Sequence, residues 1–216
     1  MSSYRVVDLS LTLDDGMRGV RLEPESSIST RGFNSQRLCL SSHAGTHLDA
    51  PIHWLTGALA LDRVDLHKCL GPALLINLSH KSRESVITIG DLEPFADRIG
   101  PGSRILVRTG WDQHAGKPEY RSCFPRISLE LAEWLASRGI WLLGLDTPSV
   151  TSLKEDDFQE LQAVHQALLN AEIVIVESLA NLADLSVQEV FFIALPLKIQ
   201  GGDGSPVRAV AVEGLM

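Results

Sequence analysis

The stretch Ser42-His43-Ala44-Gly45-Thr46-His47-Leu48-Asp49-Ala50-Pro51-Ile52-His53 decides how this chain reads. It gathers three of the seven histidines and one carboxylate, with no thiol among them. Imidazole and carboxylate at that density are the ligand set of a hydrolytic metal centre. Leu38, Leu40 and Ser42 lead in as an extended segment, and extended chain puts alternate side chains on one face. On that reading His43, Gly45, His47, Asp49, Pro51 and His53 share a parity. Gly45, without a side chain, leaves room on that face for an ion or a substrate. A helix does not serve. It would set Asp49 about 200° from His47 at ~100° per residue, and both Gly45 and Pro51 oppose it.

Outward from the motif, apolar runs predict strands over residues 5–13, 37–43, 70–78, 103–108, 140–145, 172–177, 190–197 and 207–212. Helices are expected from residue 89, over 128–137 with Gly139 as terminator, and over 155–170. Residues 17–34 are polar and irregular and read as a loop lying over a pocket. Residues 203–206 read as a turn rather than a site. Strands and helices intermix without regular βαβ alternation, so the fold class is α/β with a mixed sheet. At 216 residues, a single domain spanning 1–216 is the simplest count. No GxGxxG follows a strand and no P-loop occurs, so nucleotide cofactors have no support.

The formal charge of −8 disfavours nucleic acid or an anionic membrane as partner. Cys39, Cys69 and Cys123 are an odd, widely spaced trio, which suits reduced thiols better than a disulfide framework. The first residues carry no apolar core of signal-peptide length, and no run approaches the ~20 apolar residues of a membrane span. A cytoplasmic protein is expected.

Two later residues extend the candidate set. His165 shares a helical side with Phe158, Leu161, Leu168 and Leu169, which also fits a core histidine bonded to backbone. Glu177 ends the run Ile173-Val174-Ile175-Val176, typical of a strand covered on both faces. A buried carboxylate costs several kcal/mol unless paired or metal-bound. Residues 172–184 hold no Lys or Arg, so a metal, or a distant Arg108 or Lys198, must supply the charge. His53 faces with the candidate ligands yet lies four residues beyond Asp49, and imidazole suits proton shuttling near neutral pH.

His43-x-Gly45-Thr46-His47-x-Asp49-Ala50-Pro51-x-His53 resembles the signature of the cyclase-like metal hydrolases, a family that includes bacterial kynurenine formamidases and isatin hydrolases. The likeness continues through Gly144 to Val150, Val164-His165, Val174 to Leu179, Ala194 to Lys198 and Asp203 to Ala209. It implies a swivelling β/β/α type of fold and a centre of one or two divalent ions, zinc or manganese. The ligands it implies are His43, His47, Asp49, His165 and Glu177, with His53 as the proton shuttle. It implies hydrolysis of an amide or cyclic amide of a small molecule, by a homodimer or homotetramer. Lactone or ester hydrolysis, an inactive metal-dependent binding protein and a metal-stabilised structural subunit are the alternatives. The chain departs from the kynurenine formamidases at residues 11–25, which lack their loop tryptophan and offer Met17, Arg18, Val20, Arg21 and Leu22 instead. Arg18 and Arg21 can hold a carboxylate or simply be solvated. Trp54 and Trp111 can flank a planar substrate, and Asp146 and Ser149 can line the pocket or cap the next helix.

Overall fold

Leucine- and β-branched runs, broken every few residues by Gly, Pro or Asp, cut the chain into brief strands. The structure, a computed structural model, describes residues 4–215. In chain order its strands are β1 (Arg5–Asp8), β2 (Val20–Ser26), β3 (Ser35–Leu40), β4 (His47–Asp49), β5 (Leu70–Asn77), β6 (Val86–Ile87) and β7 (Arg104–Arg108). They continue as β8 (Arg126–Ile127), β9 (Leu142–Leu145), β10 (Val174–Glu177), β11 (Glu189–Ile193), β12 (Gly204–Pro206) and β13 (Val210–Glu213). The α-helices are α1 (Ile28–Arg31), α2 (Leu66–Cys69), α3 (Ile89–Leu92), α4 (Leu129–Ser137) and α5 (Phe158–Asn170).

One sheet runs in the order β1-β13-β11-β5-β7-β9-β10-β4-β12. Its centre, β5, β7, β9 and β10, is parallel. Antiparallel strands flank that centre on both sides. The central strands are apolar without interruption because each is covered on both faces. In β10, Ile175 enters a core with Leu131 and Leu135 of α4 and Val164 and Leu168 of α5. Val174 and Val176 enter the opposite core, with Leu9, Leu48, Phe192 and Ala211. That second cluster joins side chains from both ends of the sheet, so the sheet curls around it. A bridge between Ser10 and Leu179 ties the curl. Ser128 starts α4 by accepting the Leu131 N–H at 3.1 Å, a cap worth about 1 kcal/mol.

The mixed α/β architecture is the one expected, with differences of detail. The first strand stops at Asp8 rather than residue 13. Residues 17–34 are not an irregular loop: β2 pairs antiparallel with β3 around α1. Their cross-strand partner makes them a strand, and polar local sequence cannot announce a partner. Residues 203–206 include β12, which is a strand because β4 lies beside it. No helix among the described residues is long and apolar enough to cross a membrane.

Candidate metal centre

Strand parity sets the first half of the site. In β4, Leu48 points into the core at 0% exposure, and His47 and Asp49 stand on the other face. The register places His47 opposite Glu177 at the end of β10. His47, Asp49 and Glu177 each offer a ligand atom within 4.8 Å of one another. α5 lies over this face and brings His165, which is 3% exposed, to within 3.6 Å of Glu177 Oε1 and 4.0 Å of Asp49 Oδ2.

The continuous extended run from Ser42 to His53 does not form. The chain turns at Gly45, whose φ of +60° puts it in the left-handed region. A Cβ there would also stand 2.5 Å from Leu13 Cδ2, so backbone conformation and the approach of Leu13 both favour glycine. After β4 the chain enters a 3₁₀ turn at Pro51–His53. His43 and His53 therefore arrive from turns on either side, and their rings still meet, with centroids 4.0 Å apart.

Two contacts fix how the buried histidines point. His47 Nδ1 donates to the Gly45 carbonyl at 2.9 Å, and His165 Nδ1 donates to the Leu161 carbonyl at 2.8 Å. A carbonyl only accepts, so each ring presents Nε2 to the cluster. His47 Nε2 lies 3.3 Å from Glu177 Oε2 and 3.5 Å from Asp49 Oδ1. A lone pair facing a carboxylate at that distance repels it unless a proton or a metal cation sits between them. Four ligands about 2.1 Å from a tetrahedral ion stand about 3.4 Å apart. The spacings of 3.3, 3.5 and 3.6 Å match that value, so the residues present fit a divalent ion.

The electrostatics agree. Burial pulls the His47 and His165 rings down, but Glu177 and Asp49 outweigh it and hold both above the usual imidazole range. Burial pushes Glu177 up, but His165 and His47 overcome it and hold the carboxyl well below its usual range. Glu177 Oε1 also accepts the Val150 N–H at 2.8 Å. Neither Arg108 nor Lys198 pairs with Glu177 among the described residues. His43 donates through Nδ1 to Asp49 at 2.8 Å and through Nε2 to Asp203 at 3.0 Å. Burial opposes its charge, but the two carboxylates raise it to about 9. Holding a metal would require this ring to give up a proton. Burial and the charges of His43 and His165 hold His53 below its usual range despite the pull of Asp49 and Asp203, so it is neutral at neutral pH.

The five candidate ligands and His53 line a cavity of about 880 Å³. Arg18, Trp54 and Ser149 line it too. Arg21 does not line it and pairs with Glu23 at 2.9 Å. Trp111 is not in the wall; it is 4% exposed and donates to the Tyr120 carbonyl. Asp146 lies outside the lining and accepts from Thr109 and Gly110, holding the turn after β7. Three lining or contacting residues escape sequence reasoning: Asp203, Tyr120 and Arg121. Asp203 Oδ2 lies 3.6 Å from His53 Nδ1 as well as bonding His43. The neighbouring Gly204 lets this segment approach the site, since a Cβ there would stand 2.7 Å from His43 Cε1.

A curled mixed sheet carrying a buried His/Asp/Glu cluster at a deep cavity defines an α/β protein with a divalent-metal site of the hydrolase type. The family model Cyclase matches residues 7–152, and the chain belongs to that family. It is 35% identical over 180 residues to the kynurenine formamidase of Bordetella petrii, covering 83% of this chain and 81% of the relative. Among solved structures, isatin hydrolase A from Labrenzia aggregata superposes with a TM-score of 0.88 at 26% identity, over 98% of this chain and 94% of the other. A structure described as a potential metal-dependent hydrolase with cyclase activity superposes at 0.80 with 25% identity, covering 98% of each chain.

Proposed function

We propose that this chain is a metal-dependent hydrolase that cleaves an amide or cyclic amide of a small molecule. The observation that carries the reading is the aim of two histidine Nε2 atoms, each fixed by a carbonyl, at the buried carboxylates of Asp49 and Glu177. His43, His47, Asp49, His165 and Glu177 would hold the ion. Asp49 belongs to both groups of converging ligand atoms, which supports one or two ions per subunit. Mixed nitrogen and oxygen donors suit zinc or manganese. Such an ion, when bound, supplies Lewis acidity and lowers the pKa of a water from 15.7 to about 7.

The remaining steps belong to the chain's own side chains. His53, neutral and on the cavity wall, takes a proton from the attacking water at an imidazole nitrogen and returns it to the leaving nitrogen. Asp203, beside both His43 and His53, orients the two rings. Leu11, Met17, Trp54 and Leu161 add apolar surface to the cavity lining.

Metal analysis of purified protein, followed by turnover assays on N-formyl anilines, isatin-like lactams and small lactones, tests the reading. Stoichiometric metal with amide turnover supports it. Turnover of lactones alone moves the assignment to ester chemistry, and metal without any turnover moves it to a binding protein. A cytoplasmic setting is supported by three free cysteines. A homodimer or homotetramer is supported by Ile28, Phe33 and Leu38, which are 66%, 54% and 58% exposed around the β2–β3 hairpin. Light scattering on the purified protein decides that point.

A further inference from the structure

The parallel strands β7 and β9 lie side by side, and in parallel sheets ligands gather beyond the carboxyl ends of the strands. One residue past β9, Asp146 reaches across to the chain just past β7. It is 0% exposed. Its Oδ2 accepts the Thr109 and Gly110 N–H groups at 2.8 and 2.7 Å, and its Oδ1 accepts the Thr109 hydroxyl at 2.6 Å. The same hydroxyl oxygen accepts the Trp111 N–H at 3.2 Å. Gly110 turns the backbone there with a φ of +80°, which suits glycine. Among the described residues no Lys or Arg pairs with Asp146. Burial pushes its carboxyl up to about 6, and Asp112 adds to the rise against the hydrogen bonds from Thr109 and Gly110. The turn is thus held from inside the protein, not by a surface ion pair.

From this turn the chain runs through the 3₁₀ turns Trp111–His114 and Pro118–Arg121. Residues 115–118, Tyr120 and Arg121 form one wall of the cavity. A wall built of turns takes its position from its anchors. The Trp111 indole donates to the Tyr120 carbonyl at 2.8 Å, which ties the two 3₁₀ turns together. Across the cavity, Asp112 Oδ2 accepts the Asn181 N–H at 2.9 Å and the Tyr120 hydroxyl donates to Ser178 Oγ at 3.0 Å. Ser178 adjoins Glu177, so the wall is pinned between the Asp146 turn and the ligand-bearing end of β10. We propose that Asp146 is a positioning residue: by holding the Thr109-Gly110 turn it sets this wall, and with it Tyr120, against the metal-site end of β10. Its bearing on turnover rests on the hydrolase reading; its hold on the wall does not.

Hydrogen exchange by mass spectrometry on the metal-loaded full-length protein, with formanilide kinetics beside it, tests the role. In Asp146→Ala, amides of residues 111–121 should exchange roughly tenfold faster while α4 and α5 keep wild-type rates. Metal stoichiometry should hold, and KM should rise roughly tenfold with kcat within about threefold, because the wall touches neither the ligands nor His53. Asp146→Asn keeps an oxygen for the two N–H groups and an amide for the Thr109 hydroxyl, so it should recover most of both losses. If Asp146→Ala fails to fold, Thr109→Val, which deletes the hydroxyl contacts alone, should shift wall exchange and KM the same way by about threefold. Unchanged wall exchange, faster exchange spread equally through α4 and α5, or a fall in kcat at fixed KM overturns the proposal. If wild type turns over no amide, the hydrolase reading falls and the exchange pattern alone decides whether Asp146 sets the wall.

Discussion

Replacing Glu177 by Gln removes one charge from the centre of the candidate site and little else. The amide keeps an oxygen that can accept the Val150 N–H, now 2.8 Å from Oε1, so the end of β10 should hold. The carboxylate lies 3.3 and 3.6 Å from the two imidazole nitrogens that would share the ion with it. An opposite unit charge about 4 Å away is worth about 4 kcal/mol at an effective dielectric near 20. At 1.36 kcal/mol per tenfold, Glu177→Gln should weaken metal binding roughly a thousandfold. Competitive titration with a chromophoric chelator at neutral pH measures the dissociation constant for zinc and manganese, with circular dichroism as the folding control. A folded variant whose dissociation constant stays within about tenfold of wild type would falsify the assignment of Glu177 as a ligand.

Three further outcomes are expected. His53→Ala should retain metal stoichiometry yet lose about 10²- to 10⁴-fold in kcat; wild-type turnover would remove it from the chemistry. Burial pushes Asp146 up to about 6, against the pull of its hydrogen bonds to Thr109 and Gly110. Its folded value lies above the ordinary 3.8, so its contribution is full below that value and falls as pH rises through about 6. Urea unfolding of wild type and Asp146→Asn from pH 4 to 7 should show the difference between them shrinking by up to about 3 kcal/mol. A difference that widens would reverse the sign. Gly204→Ala would place a Cβ 2.7 Å from His43 Cε1 and 2.8 Å from the Leu48 carbonyl, which should cost about 1–3 kcal/mol and lower metal affinity. Unchanged melting and unchanged metal binding would show that His43 yields freely.

His47 and Asp49 were legible because two-residue parity and an apolar Leu48 between them leave one arrangement for a buried strand. Glu177 was legible because an uninterrupted apolar run leads a carboxylate into the interior with no nearby cation. His43 and His53 could be placed at the site but not by the right path. Local sequence does not reveal that Gly45 turns the backbone to φ +60° or that Pro51 begins a 3₁₀ turn. Asp203 and Arg121 were illegible for a different reason. Each sits in a short Gly- or Pro-containing segment without periodicity, and each reaches the cavity region only because the fold brings distant segments together. Of the β2–β3 pair, β3 overlaps the strand expected over residues 37–43, whereas β2 was missed because its alternation, Val20-Arg21-Leu22-Glu23, is brief and ends at Pro24.

The direct opposition of His47 and Glu177 across neighbouring strands has a consequence for assembly of the molecule. Sliding β4 by one position would turn both of its polar groups into grease and thrust Leu48 among ions. Misaligned pairing is thereby penalised on two fronts, so the chemistry that demands charge in the interior also acts as a proofreading mark for the weave of the sheet.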